Sequence, residues 1–114
     1  MKVKVGDTLV DSSAYILTKD GPEKISTNKF FGNQKIILFG VPGAFTPTCS
    51  AKHLPGYINS LELTKEKKIH KIICISVNDA FVMDAWAKNQ RAKGKIEMLA
   101  DAAASFTKSI GAEL

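Results

Sequence analysis

An α/β fold built on a mixed sheet follows from three features of the sequence. Apolar runs of strand length alternate with segments of helical spacing, two short runs flank a hairpin-type turn, and two others are separated by enough chain for a helical crossover. Ala14 to Thr18 and Glu23 to Ile25 bracket Lys19-Asp20-Gly21-Pro22 and predict the hairpin. Ser26 or Thr27 then caps a short helix through Phe31. Lys35 to Val41 reads Lys-Ile-Ile-Leu-Phe-Gly-Val, a strand buried on both faces. A helix is projected over Thr48 to Lys68, with Ala51, Leu54, Ile58 and Leu61 at helical spacing; Pro55 removes the N–H that would pair with the carbonyl of Ala51, which predicts a kink or break near Leu54. Ile72 to Val77 is a second apolar strand, parallel to the first through this crossover. Asn78 or Asp79 caps the next helix, Phe81 to Arg91, whose Val82, Ala85, Trp86 and Asn89 share one face; its apolar members are expected to pack on the sheet. Glu97 to Ala100 is a further strand, and Asp101 caps a last helix that carries Phe106 and Ile110 and ends at Gly111.

With 114 residues, 45% of them hydrophobic, the expectation is a single domain over residues 1–114 with one packed core. The net charge of +5 raises nucleic acid as a partner. The basic groups, Lys65, Lys67, Lys68 and Lys71, then Lys88, Arg91, Lys93 and Lys95, lack interleaved aromatics and fall at projected helix ends and loops, so a solvated surface is the better reading and no nucleic-acid partner is expected. No run approaches the length of a membrane span, and residues 1–7 lack the apolar segment of a signal peptide. No membrane partner is expected. Two cysteines fit a reducing compartment, the cytoplasm by default or an organelle. Their separation excludes a Cys-x-x-Cys redox motif and a cysteine zinc site.

The chemistry centres on Val41-Pro42-Gly43-Ala44-Phe45-Thr46-Pro47-Thr48-Cys49. Thr46 at the N-cap and Pro47 at the first helical position place Cys49 in the first turn of a helix. Free backbone N–H groups and the positive end of the helix dipole there favour the thiolate, which is the nucleophilic form. Thr46 is either an ordinary cap or a hydroxyl that binds a substrate oxygen. Pro42 and Pro47 serve as turn and helix-start devices, or as rings without N–H that shield a pocket.

Pro42, Thr46 and Cys49, in the pattern Pro-x-x-x-Thr-x-x-Cys followed by Ser50-Ala51-Lys52-His53-Leu54-Pro55-Gly56, resemble the active-site signature of the peroxiredoxins, in particular the peroxiredoxin-5-like, atypical two-cysteine subfamily. Residues 74–83 (Cys-Ile-Ser-Val-Asn-Asp-Ala-Phe-Val-Met) with Trp86, and Leu99-Ala100-Asp101 with Phe106-Thr107-Lys108, resemble the strands and helices that follow, so that the similarity extends from Gly6 to Leu114. The resemblance implies a thioredoxin-like fold with a central mixed sheet flanked by helices, and a thiol peroxidase active in antioxidant defence. Cys49 would reduce hydrogen peroxide and organic hydroperoxides and become a sulfenic acid, with Thr46, Pro42 and the backbone N–H of Cys49 holding the peroxide. Neither a metal nor an organic cofactor is implied. A homodimer is implied as well. His53, otherwise a surface or interface histidine, is given a secondary site role.

The sequence departs from the family at two places. The resemblance implies an arginine from a late strand, whereas the only arginine, Arg91, falls near the end of a projected helix, where a cation suits the dipole. In the subfamily that arginine belongs with a final hairpin and helix that residues 1–114 do not include, which is expected to leave one sheet edge bare unless a partner strand, a tight oligomer or a further segment covers it. Cys74 lies in an apolar strand as a small buried hydrophobe and does not match a resolving cysteine. The reductant is therefore expected to be an external thiol, glutathione with glutaredoxin, or thioredoxin. The alternative function is a redox sensor, chaperone or binding protein of peroxiredoxin descent without turnover.

Overall fold

The computed structural model describes residues 2–46, 54–59 and 68–112. Among them the strands are β1 (Ser13–Thr18), β2 (Gly21–Ser26), β3 (Ile36–Gly40), β4 (Lys71–Ser76) and β5 (Glu97–Ala100). The helices are α1 (Thr27–Phe31), α2 (Leu54–Asn59), α3 (Ala80–Asn89) and α4 (Ser105–Ser109). The five strands form one sheet in the order β2-β1-β5-β4-β3. β3, β4 and β5 run parallel, β1 runs antiparallel to β5, and β1 and β2 form the hairpin, which makes the sheet mixed as expected.

β4 lies between β3 and β5, and its pleat explains its uninterrupted apolar sequence. Ile72 and Cys74 project to one face, into a cluster with Phe39, Val41, Leu54, Met83 and Trp86. Ile73 and Ile75 project to the other, into a cluster with Ala14, Phe31, Leu99 and Phe106. α2 and α3 supply the first layer and α1 and α4 the second. The Cys74 side chain is fully buried, as expected for a small core residue.

Several boundaries differ from expectation for identifiable reasons. Gly21 and Pro22 belong to β2, leaving Lys19-Asp20 as the turn; β2 is an edge strand, where a proline without N–H is tolerated. Lys68 sits in a turn at φ 59°, so the projected helix does not run through it. The predicted break near Leu54 involves residues 51–53, which lie outside the described residues. α3 stops at Asn89, and Arg91 takes a left-handed φ of 59° while its N–H donates to Lys88 O and that of Ala92 donates to Ala87 O, the paired bonds of a Schellman end. The buried residues of α3 are Ala80, Met83, Trp86 and Ala87. Val82 is only half-buried and Ala85 and Asn89 are exposed, so the sheet-facing stripe is rotated from the one predicted. Helical spacing permits either stripe; packing against the sheet residues Ile72 and Cys74 selects the one with Met83 and Trp86.

Candidate active site

The site is built where the parallel strands end, the side of an open α/β sheet on which ligands ordinarily bind. The β3–β4 ladder continues one residue past β3, with the Val41 N–H donating to Ile75 O at 3.0 Å. Beyond it the chain leaves the sheet as Pro42-Gly43-Ala44-Phe45-Thr46. Pro42 is exposed and Thr46 is half-buried.

Two contacts shape this loop. The Thr46 hydroxyl donates to Gly43 O at 2.8 Å, closing the loop on itself. The Ala44 N–H donates to Asn78 Oδ1 at 2.9 Å, tying the loop to the segment that follows β4. Asn78 Oδ1 also accepts from the Ser76 hydroxyl at 2.8 Å. Between them Phe45 is held at φ 62°, a conformation that costs a non-glycine residue about 1 kcal/mol. Gly43 permits the tight closure, since a Cβ there would lie 3.3 Å from Thr46 Cγ2.

The Thr46 hydroxyl thus has a third role besides the two considered from sequence. Its proton is committed to Gly43 O, and its oxygen retains lone pairs that can accept a hydrogen bond from a backbone N–H or a bound hydroxyl. Cap and ligand therefore do not exclude one another. Cys49 and His53 lie outside the described residues, as does Pro47. α2 begins at Leu54, whose side chain is fully buried, and Tyr57 of α2 stacks on Phe39 of β3 with ring centroids 3.8 Å apart and planes 5° apart.

The loop itself is uncharged, and Lys108 of α4 lines the same cavity as Val41 and Pro42. Residues 40–46 carry no charged side chain, and the Asp79 carboxylate accepts from Val82 N–H at 2.8 Å as the cap of α3. The carboxylate with displaced ionisation on this helix is Asp84, held below its ordinary value chiefly by the hydrogen bond from Lys93 and secondarily by Lys88. Asn78 is the residue that sequence reasoning missed. With Asp79 serving as cap, the neighbouring asparagine was available for another task, a redundancy visible in the sequence.

The Redoxin family model matches residues 4–114. Peroxiredoxin-2C of Oryza sativa subsp. japonica is 45% identical over 98% of this chain and 70% of its own length. This chain belongs to the peroxiredoxin family. As a peroxiredoxin it is a thiol-dependent peroxidase. Among solved structures, reduced Prx3 of Vibrio vulnificus in complex with H2O2 superposes with a TM-score of 0.93 at 47% identity, covering 98% of this chain and 70% of that one. Peroxiredoxin 5 of Alvinella pompejana gives 0.87 at 40% identity, over 98% of this chain and 71% of that one. The fold is the thioredoxin-like arrangement expected from the sequence resemblance.

Proposed function

We propose that Cys49 is the peroxidatic nucleophile and that its substrates are hydrogen peroxide and alkyl hydroperoxides. The observation that supports this most is the braced loop from Pro42 to Thr46, which ends three residues before Cys49 with the Thr46 hydroxyl already oriented by Gly43 O. The thiolate attacks the peroxide oxygen that carries hydrogen, the O–O bond breaks, and the departing hydroxide or alkoxide takes a proton to leave as water or alcohol. Cys49 is then a sulfenic acid. One external thiol displaces water from it to form a mixed disulfide, and a second releases the Cys49 thiolate and an oxidised thiol pair. Thr46 accepts the peroxide proton's hydrogen bond and Pro42 limits water at the mouth of the site, a positional and electrostatic contribution. His53 has a secondary role in the same segment. The reductant is glutathione with glutaredoxin, or thioredoxin.

The same loops support a homodimer. Phe45, Val77 and Phe81, in the two loops and the first turn of α3, expose 52%, 46% and 60% of their surface, apolar area of the kind a second copy would cover.

The test is stopped-flow oxidation of the protein by hydrogen peroxide and by tert-butyl hydroperoxide, with the sulfenic acid trapped by dimedone and located by mass. Cys49→Ser should abolish the fast phase and leave Cys74 as an inert internal control. A wild-type Cys49 that reacts no faster than free cysteine would sink the assignment. Trapping without recycling by either reductant system favours the sensor reading instead.

A further inference from the structure

We propose that Asn78 is a positioning residue for the peroxidase reaction, fixing the Pro42–Thr46 loop in its reactive shape from the segment that follows β4. This rests on the assignment of Cys49 and Thr46 above. A backbone N–H can only donate, so the atom of the Asn78 amide that faces Ala44 is the oxygen, and the Ser76 hydroxyl at 2.8 Å from that oxygen must also donate. Ser76 is itself 3% exposed and ends β4, which is buried from Ile72 onward. The orientation of the amide is therefore dictated by two donors, one of them embedded in the core. The bond it makes falls on Ala44, immediately before Phe45 at its left-handed φ and two residues before Thr46. Among the described residues, it is the only side-chain bond to residues 42–46 from outside the loop.

Without this acceptor, Ala44 would lose its partner and the strained turn at Phe45 would lose the contact that holds it against relaxation. The Thr46 hydroxyl would then drift relative to Cys49. A displacement of about 1 Å in such a group costs up to about 100-fold in rate. The choice of a neutral amide also follows, since a carboxylate here would place a fixed negative charge beside the loop that leads to the thiolate.

The test separates geometry from thiol reactivity by using two electrophiles. Asn78→Ala should lower the rate of Cys49 oxidation by hydrogen peroxide about 10- to 100-fold, whereas alkylation by chloroacetamide, which needs a thiolate but no aligned hydroxyl, should stay within about threefold. Asn78→Leu, which fills the space without an acceptor, should give the same split if the alanine variant is too unstable to assay. Asn78→Asp retains an acceptor oxygen and should recover peroxide reactivity to within about fivefold at high pH, with the pH profile displaced upward by its charge. Unchanged peroxide rates in the alanine and leucine variants would overturn the proposal. So would parallel changes in both reactions, or an aspartate variant as slow as the leucine one. A wild-type protein inert to peroxide would instead remove the underlying assignment of Cys49.

Discussion

The loops that follow β3 and β5 use one backbone device for opposite ends. Each leaves the C-terminal end of a parallel strand and each contains a non-glycine residue at positive φ, Phe45 at 62° and Ala104 at 59°. After β5 the loop supplies its own anion. Asp101, 1% exposed, accepts from Phe106 N–H, Thr107 N–H and the Thr107 hydroxyl at 3.2, 2.8 and 2.6 Å, and so occupies the amino end of α4. The sequence placed Asp101 as the cap; in the structure it bonds residues five and six positions ahead to do so, with Ala104 at the backbone cap position. After β3 the loop has no carboxylate and is braced by the neutral amide of Asn78. A loop that carries its own anion is finished as structure. One kept neutral and held from outside suits a site where the anion is to be a reacting sulfur.

Exchanging the properties of the two loops tests the contrast. The largest effect is expected at Thr46: Thr46→Val should reduce the second-order rate of Cys49 with peroxide by about 100- to 1,000-fold in stopped flow, with little change in the unfolding midpoint. Asp101→Ala should do the reverse, losing about 2 to 3 kcal/mol in urea unfolding while the peroxide rate of the folded protein holds. An Asp101 variant that is stable but slow would show that the two loops are not separable. Gly43→Ala should slow oxidation by about three- to tenfold, because the new methyl must push the Thr46 side chain by a few tenths of an ångström.

Two smaller effects bound the contribution of surface charge and helix ends. The folded-state ionisation of Asp84 lies below its unfolded value of about 3.9, so its bridges to Lys93 and Lys88 stabilise the protein above that pH and lose their effect as pH falls through the lowered folded value. Acid unfolding of Asp84→Asn against wild type should show a difference of about 0.5 to 1 kcal/mol near pH 6 that fades as pH falls through the lowered folded value. At the end of α3, Arg91 occupies the left-handed position that Gly111 (φ 74°) fills after α4. Arg91→Gly should therefore raise stability by up to about 1 kcal/mol and leave peroxide reactivity unchanged.

Much of the architecture was legible because it depends on local chemistry. β3 and β4 are continuous apolar runs whose parallel pairing follows from the crossover, and Ser26 and Asp79 cap their helices through bonds that span three residues. What escaped was set by distance along the chain. Asn78 reads as a second cap candidate because its true partner, Ala44, is 34 residues away, and only the β3–β4 pairing brings the two together. The face of α3 was misjudged for the same reason: Ala85 and Met83 are equally compatible with a helical stripe, and the sheet beneath chooses Met83. For Thr46, the sequence suggests one use for its oxygen, as cap or as ligand, whereas the bond to Gly43 O engages only the proton.

Trp86, the single tryptophan, is fully buried in the cluster that also contains Leu54 of α2, Phe39 and Cys74. Its indole thus shares a core layer with the first residue of α2. A change in the packing of α2 on that layer would alter the polarity and quenching around one chromophore, with no competing tryptophan signal. The single indole therefore offers an optical readout of this layer in unlabelled protein.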